Sequence, residues 1–308
     1  MMKLKNSEAL KDAQCGMCDK KTLECLYWAY DKNYGTTDER FMIVKCPNCN
    51  VVQTYPQPFV EKVEQYYPDQ YFTNKSVEKY FVDNNVDKFQ SDKVRKIKKY
   101  RASGRLLDIG CGVGYFVKAA MLSGYDVFGI EISSLATELG KKHGMLSITS
   151  GDFLSHPFEK DSFDIITLWH VFEHLPHPQK VLKKIYHVLR SQGLLVIAVP
   201  NFSSIQANFF REKWYHLEIP RHLFHYTPIS LTRVVEEEGF SVNEINHFCR
   251  EHNGSGILGS FMRISPPGES FVHKFVRKTI GVFSTNIVAW IESSISRGGT
   301  FELFAIKK

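Results

Sequence analysis

The sequence predicts an α/β fold: a mostly parallel, doubly wound sheet with helices on both faces and a small cysteine-rich unit in front of it. Three observations predict it. Apolar strand-like runs alternate with helix-length segments from Arg105 onward, the first of these runs ends in a cluster of glycines, and two Cys-x-x-Cys pairs precede both. The 308 residues suffice for one large domain with an appendage, or for two modest ones. Hydrophobic residues make up 43% and charged residues 23%, the balance of an ordinary globular chain, which excludes global disorder.

The first element is the cysteine-rich unit, residues 1–57. Cys15-Gly-Met-Cys18 and Cys46-Pro-Asn-Cys49 are separated by 27 residues. Each pair places two thiols on one tight knuckle, and two knuckles complete a tetrahedral Cys₄ site, so Cys15, Cys18, Cys46 and Cys49 are the predicted ligands of a structural Zn²⁺. Asn50, directly after the second pair, suits a knuckle because asparagine tolerates left-handed backbone. Short β-prone pieces such as FMIVKC and NVVQTYP between and after the pairs fit a ribbon. Residues 58–103 read as a polar helical linker or lid with aromatics at Tyr66, Tyr67, Tyr71, Phe72, Tyr80, Phe81 and Phe89, which either pack on the next domain or line a substrate mouth.

Residues 104–308 carry the alternation. LLDI is a short strand, Val113 to Leu122 a helix, YDVFGIE a second strand and Ser134 to His143 a second helix. A third strand is expected near Leu146 to Thr149, a fourth at FDIITLW and a fifth at GLLVIAVP, with an amphipathic helix from Pro178 to Arg190 before the last of these. Phe240 to Phe248 and Thr300 to Ile306 are two further strands, separated by an insertion of about 250–299. Strands spaced by helices of this length imply right-handed crossovers and a parallel sheet.

The chemistry begins at the turn after the first of these strands, LLDIGCGVGYF. Gly110, Gly112 and Gly114 permit a sharp turn and let a ligand approach the backbone closely. Glu131 ends the next strand 23 residues after Asp108, the place from which a carboxylate accepts both hydroxyls of a ribose. A nicotinamide fingerprint needs a third small residue where Tyr115 stands. Asp108 also puts negative charge where a pyrophosphate would be repelled. A cationic nucleoside fits better, and the ammonium and sulfonium of S-adenosylmethionine (SAM) meet that requirement. Asp152, in the Gly151-Asp152-Phe153 turn, is placed for an adenine amino group, and Phe153 for stacking.

On these pieces (LLDIGCGVG, Gly129-Ile130-Glu131, Gly151-Asp152-Phe153, FDIITLWHVFEHL and LRSQGLLVIAVPN) the sequence resembles the class I SAM-dependent methyltransferases over about residues 104 to 308. The resemblance implies a Rossmann-like, seven-stranded sheet and SAM as cofactor. It makes Asp108, Gly110, Gly112, Gly114, Glu131, Asp152 and Phe153 cofactor contacts, with Trp169 or His170 beside the methionine end. Ser191-Gln192-Gly193 replaces the family's usual Pro-Gly-Gly, at a turn remote from the cofactor.

After the fourth strand the chain reads Trp169-His170-Val171-Phe172-Glu173-His174. This H-x-x-E-H is similar to small-molecule methyltransferases of quinone biosynthesis and of bacterial sugar and polysaccharide pathways, and it lacks the Pro-Pro-aromatic motif of enzymes that methylate nucleobase amines. On a helical turn His170 and His174 fall on one face, as a metal pair would, but packing is the reading adopted for His174. A second segment, Trp214 to Tyr226, crowds four aromatics and three histidines into thirteen residues between the fifth strand and the next helix, where open α/β sheets build their active-site crevice. It resembles the IPRHL-aromatic-H segment of methyltransferases encoded with bacterial polysaccharide enzymes, several of which also carry a CxxC ribbon.

Methyl transfer to a hydroxyl needs positioning and a base, so His170, His222 and His225 are the candidate bases. Trp214, Tyr215, Arg221 and Tyr226 are candidate acceptor contacts. Arg221 either forks a substrate anion or pairs with Glu218 or another acid. The expected acceptor is a small molecule, a hydroxyl of a sugar or glycan precursor. Two alternatives are a zinc-ribbon RNA methyltransferase and a non-catalytic SAM-binding protein.

The formal charge of +6 is mild, although seven basic residues and no acidic one stand between Lys93 and Arg105. The near-neutral ribbon and the lack of a basic-aromatic stripe disfavour nucleic acid. The N-terminus has no apolar leader core, and Ile280 to Ile291 is too short to span a bilayer, so a cytoplasmic protein is expected. Residues 271–291 combine an apolar stripe with His273, Lys274, Arg277 and Lys278. That pattern fits either docking on the domain or weak contact with a membrane surface.

Overall fold

The computed structural model describes residues 10–58, 65–67, 88–249, 252–263 and 287–308. Its centre is a seven-stranded sheet built from β4 (Arg105–Ile109), β5 (Asp126–Glu131), β6 (Ile148–Ser150), β7 (Phe163–Trp169), β8 (Leu189–Pro200), β10 (Phe240–Asn246) and β11 (Thr300–Lys307). The strand order is β10-β11-β8-β7-β4-β5-β6. β4, β5, β6, β7 and β8 pair in parallel, whereas β11 runs antiparallel to both β8 and β10. This is the predicted mostly parallel Rossmann-like sheet.

The central strands carry near-continuous apolar runs because helices cover both faces. Leu106, Leu107, Ile165, Ile166, Leu168 and Leu194 through Ile197 are all fully buried. The covering helices are α1 (Lys88–Lys98), α2 (Tyr115–Leu122), α3 (Ser134–Lys142), α4 (Pro178–Val188) and α6 (Pro228–Glu237), with α5 (Ile205–Phe210) and α7 (Asn253–Met262) at the carboxyl end of β8. Their starts follow local chemistry. Ser133 caps α3 by accepting from the Ala136 amide, and Thr227 and Ser230 form a reciprocal capping box on α6. α4 ends two residues earlier than expected. Leu189 already pairs with Phe163, so the strand captures the end of the predicted helix.

The cysteine-rich unit is a ribbon of β1 (Glu24–Tyr30), β2 (Arg40–Lys45) and β3 (Val52–Tyr55), all antiparallel. Its two knuckles are alike: Asp19 donates to the Cys15 carbonyl and Asn50 to the Cys46 carbonyl, both residues with φ near +60°. The ribbon does not stop at residue 57. Its fourth strand is β9 (Phe224–His225), from the middle of the histidine-rich segment, which pairs with β3 through Val52–His225 and Gln53–Phe224. Cys15, Cys46 and Cys49 share one core with Phe172, Phe224 and Tyr226. Through these contacts the ribbon packs directly on the histidine-rich segment and the β7 exit.

In the linker, α1 lies on the sheet with Val94 and Ile97 buried. The basic run is partly internal: Lys96 pairs with Glu302 at 2.8 Å, and Lys93 sits over the Trp169 ring, its ammonium 5.1 Å from the centroid. Tyr71, Phe72, Tyr80 and Phe81 lie outside the described residues, as do His273, Lys274, Arg277 and Lys278 of the insertion. Among the described residues, no helix is long and apolar enough to cross a membrane.

Candidate active site

The carboxyl ends of β4, β5 and β7 converge on the glycine turn. Gly110 has φ +70°, and a Cβ there would stand 2.4 Å from the Val171 side chain, so the turn closes against the β7 exit only with glycine. At Gly112, φ is +54° and a Cβ would meet nothing within 4 Å among the described residues, leaving space above the turn. Asp108 is buried and accepts from the Thr167 hydroxyl at 2.6 Å. Burial raises its carboxyl to about 7, with Glu131 adding to the effect while the Thr167 bond and the Lys93 charge oppose it. One oxygen of Glu131 accepts from the Gly112 amide and the other from the Ser133 amide, each at 2.9 Å. These bonds fix the carboxylate at the strand end while each oxygen keeps a lone pair for a further donor.

Asp152 is exposed at the next strand end and caps its own turn through the Ser155 amide. Phe153, expected as a stacking platform, is instead buried in the main core. Its ring packs on Phe158, with the Lys184 ammonium 5.2 Å from its centroid. The apolar surface beside Glu131 belongs to Ile132, which is 76% exposed. Sequence reasoning passed over Ile132, and the available signal was a large aliphatic residue directly after the strand-end acid. Trp169 ends β7 against Phe116, its indole Nε1 buried with no hydrogen-bond partner among the described residues.

His170 comes next in left-handed backbone, φ +57°, and is 19% exposed at the side chain, with Nδ1 3.6 Å from Glu173. Its ring centroid lies 4.0 Å from that of His252. Burial, then the neighbouring His252 and Lys93, hold its pKa well below the ordinary value. The expected helical turn is a 3-10 turn over Phe172–His174, and His170 and His174 fall in different clusters: His170 with Cys249 and His252, His174 with Glu173 and His222.

The histidine-rich segment is more interior than a substrate mouth would be. Trp214 is 1% exposed and packs with Phe41, Phe210 and Leu217, and Tyr226 is fully buried, 5.3 Å from the Phe172 ring. Arg221 adopts the ion-pair alternative. Its guanidinium binds both oxygens of Asp31 at 3.1 and 3.2 Å, Glu218 at 3.2 Å and the Tyr66 carbonyl at 2.9 Å, with no side-chain exposure. An acceptor anion would find this fork already filled. Asp31 was not recognised from sequence, because nothing local sets it apart from other acids.

His225 is likewise held inside. The Thr54 hydroxyl donates to the His222 carbonyl at 2.7 Å, so His225 Nε2, 3.1 Å away, must donate to that hydroxyl. This makes His225 a stitch between ribbon and segment and removes it as a base. His222 is buried with Nδ1 on the His216 carbonyl. Tyr215 stays partly exposed, with its amide on Ser260 and the Arg263 guanidinium over its ring. Of the three candidate bases, His170 alone combines partial exposure with a place at the end of β7.

Comparison with known proteins agrees with this geometry. A family model described as a methyltransferase domain matches residues 82–245, more than half of the chain. The ubiquinone biosynthesis O-methyltransferase of Glaesserella parasuis is 33% identical over 107 residues, covering 32% of this chain and 45% of that protein. An uncharacterized protein of Methanocaldococcus jannaschii is 26% identical over 137 residues, covering 44% of this chain and 63% of its own. The chain thus spans less than two thirds of the length of these relatives. Among solved structures, the phosphoethanolamine N-methyltransferase 2 of Haemonchus contortus superposes with a TM-score of 0.54 at 18% identity, covering 92% of this chain and 68% of that one, which speaks for the fold. A glycine turn closed against β7, flanked by two strand-end carboxylates within this sheet order, and a family match across it lead to one conclusion: the chain belongs to the methyltransferase-domain family.

Proposed function

We propose that the protein transfers a methyl group from SAM to a hydroxyl of a small acceptor, a sugar or glycan precursor, and that its ribbon holds one structural Zn²⁺. The observation that carries the cofactor reading is the open space over Gly112 between two fixed carboxylates. Asp108 would face the cationic methionine end, Glu131 the ribose hydroxyls and Asp152 the adenine amino group, while Ile132 offers the base an apolar face. SAM, when bound, supplies a methyl group made electrophilic by its sulfonium. The chain's residues orient the cofactor and exclude water, and His170, at the end of β7, is placed to receive the acceptor's proton.

For zinc the support is the donor set. The Cys15–Cys49 and Cys18–Cys46 sulfurs lie 3.6 Å apart in each pair. Four thiolates on one tetrahedral zinc, with bonds near 2.3 Å, sit about 3.8 Å from one another.

A small acceptor is favoured over RNA because Lys93 and Lys96, from the start of the basic run, face the protein interior. The glycan class rests on the resemblance of ribbon and histidine-rich segment to enzymes of polysaccharide pathways. Their joining in one sheet is consistent with a shared role. Conversion of SAM to S-adenosylhomocysteine, measured against sugar nucleotides, polyprenyl catechols and total RNA, tests this. Turnover with a sugar nucleotide is expected. Turnover with the catechol alone would move the acceptor to the quinone class, and turnover with RNA alone would overturn the small-molecule reading.

A further inference from the structure

Where the β7 exit meets the histidine-rich segment, Glu173 is buried to 1% exposure. Neither of its carboxylate oxygens has a hydrogen-bond partner among the described residues; His170 Nδ1 at 3.6 Å and His222 Nε2 at 3.9 Å from Oε1 stand beyond hydrogen-bond distance. Buried carboxylates are almost always hydrogen-bonded or paired with a cation, so this group lacks something. Around it stand two imidazoles whose tautomers can be read from their bonds. His222 Nδ1 is 2.9 Å from the His216 carbonyl, and His174 Nδ1 is 3.0 Å from both the Arg221 carbonyl and the Tyr67 hydroxyl. A carbonyl oxygen accepts and never donates, so His222 carries its proton on Nδ1 and presents an Nε2 lone pair; His174 takes the same tautomer when it donates to the Arg221 carbonyl, with the Tyr67 oxygen beside it. Backbone carbonyls that fix ring orientation in this way are the usual outer shell of metal-bound histidine.

The inner geometry agrees. The rings of His174 and His222 meet edge to face with centroids 4.6 Å apart, and the donor atoms of Glu173, His174 and His222 all lie within 4.8 Å of one another. His222 Nε2 is 3.9 Å from Glu173 Oε1 and 3.6 Å from Glu218 Oε2. Both separations are too long for hydrogen bonds but close to the roughly 3.3–3.6 Å between neighbouring ligands of one tetrahedral ion with bonds of 2.0–2.2 Å. We propose that Glu173, His174 and His222 bind a second divalent cation, zinc by the character of the donors, with the Glu218 carboxylate at hand for the fourth position.

Two imidazoles with carboxylate oxygens suit zinc better than magnesium or calcium, which take mostly oxygen. The ion supplies the counter-charge that Glu173 lacks. It also ties the exit of β7 to the histidine-rich segment and, through the Glu218–Arg221–Asp31 chain, to the ribbon. This site is independent of the Cys₄ knuckles and does not rest on the identity of the acceptor.

The test is the metal content and zinc coordination of the full-length protein, purified under reducing conditions and dialysed first against excess Zn²⁺ and then against metal-free buffer. About two zinc per chain are expected, and X-ray absorption should show a mixed shell of sulfur near 2.3 Å and nitrogen or oxygen near 2.0–2.1 Å. Glu173→Gln keeps the side chain's shape and removes its charge; this variant should fall to about one zinc per chain with a sulfur-only shell. The wild-type measurement stands whether or not the variant folds. One zinc per chain with sulfur ligation alone in the wild type would overturn the proposal, as would two zinc per chain retained by a folded Glu173→Gln.

Discussion

The cofactor turn and the histidine-rich segment are assembled in opposite ways. The turn is local: Asp108, Gly110 and Gly112 stand together along one strand exit, and Glu131 reaches back to the Gly112 amide from the very next strand. The segment is non-local: Arg221 meets Asp31 across 190 positions of sequence, and His225 meets Thr54 across 171. Labour is divided accordingly between the two regions. This contrast predicts a turn that binds its ligand even with the ribbon disturbed, and a segment that keeps its shape only while the ribbon holds it.

The largest effect that would break this contrast comes from the ribbon. Cys46→Ser, or chelation of the proposed zinc, should unfold β1 to β3 and release β9. Hydrogen exchange at Leu223 to Tyr226 should then rise by orders of magnitude while SAM affinity changes by no more than about threefold, or ~0.7 kcal/mol. Equal loss at both places would show that the two regions are one cooperative unit.

Next comes the Arg221–Asp31 pair. Asp31→Asn leaves a buried guanidinium without its main counter-charge and should cost about 3–5 kcal/mol in denaturant unfolding. A loss below about 1 kcal/mol, the range of exposed pairs, would mean that Glu218 alone suffices.

The smallest effect sharpens the other side. The Asp108 carboxyl, raised from 3.8 to about 7 by burial, keeps a proton in the folded protein that the unfolded chain has already lost. Between about pH 4 and 7 the folded state binds more protons, so its contribution to stability is present at low pH and declines as pH rises through that window. A cationic ligand needs the ionised form. SAM should therefore bind about threefold more weakly at pH 6.5 than at pH 7.5, as the ionised fraction of a group titrating near 7 dictates. A flat profile would place the cationic end of the ligand away from Asp108.

Legibility in the sequence divides along the same line. The strand and helix alternation, the glycine turn and the carboxylates of Asp108 and Glu131 depend on neighbours along the chain, and the structure places them as expected. The packing of Phe153 into the core and the exposure of Ile132 depend on how β6 and α4 meet, and no local pattern encodes that. In the sequence Trp214, Arg221 and Tyr226 read as acceptor contacts, and His225 as a candidate base, because aromatic and charged residues are dense there. Their partners, Asp31, Thr54 and Phe172, come from the ribbon and the β7 exit and turn the same residues inward. In the sequence Glu173 is part of a motif; its lack of a hydrogen-bond partner among the described residues is visible only once the segment closes over it.

The most direct test of the central claim is a calorimetric titration of SAM into the full-length wild type and into Glu131→Ala. Saturable binding is expected in the wild type, with affinity at least about tenfold weaker in the variant, since charge-assisted hydrogen bonds of this kind contribute roughly 1.5–3 kcal/mol. No binding to the wild type, or the same dissociation constant in both proteins, would contradict a cofactor site at the β4 and β5 strand ends.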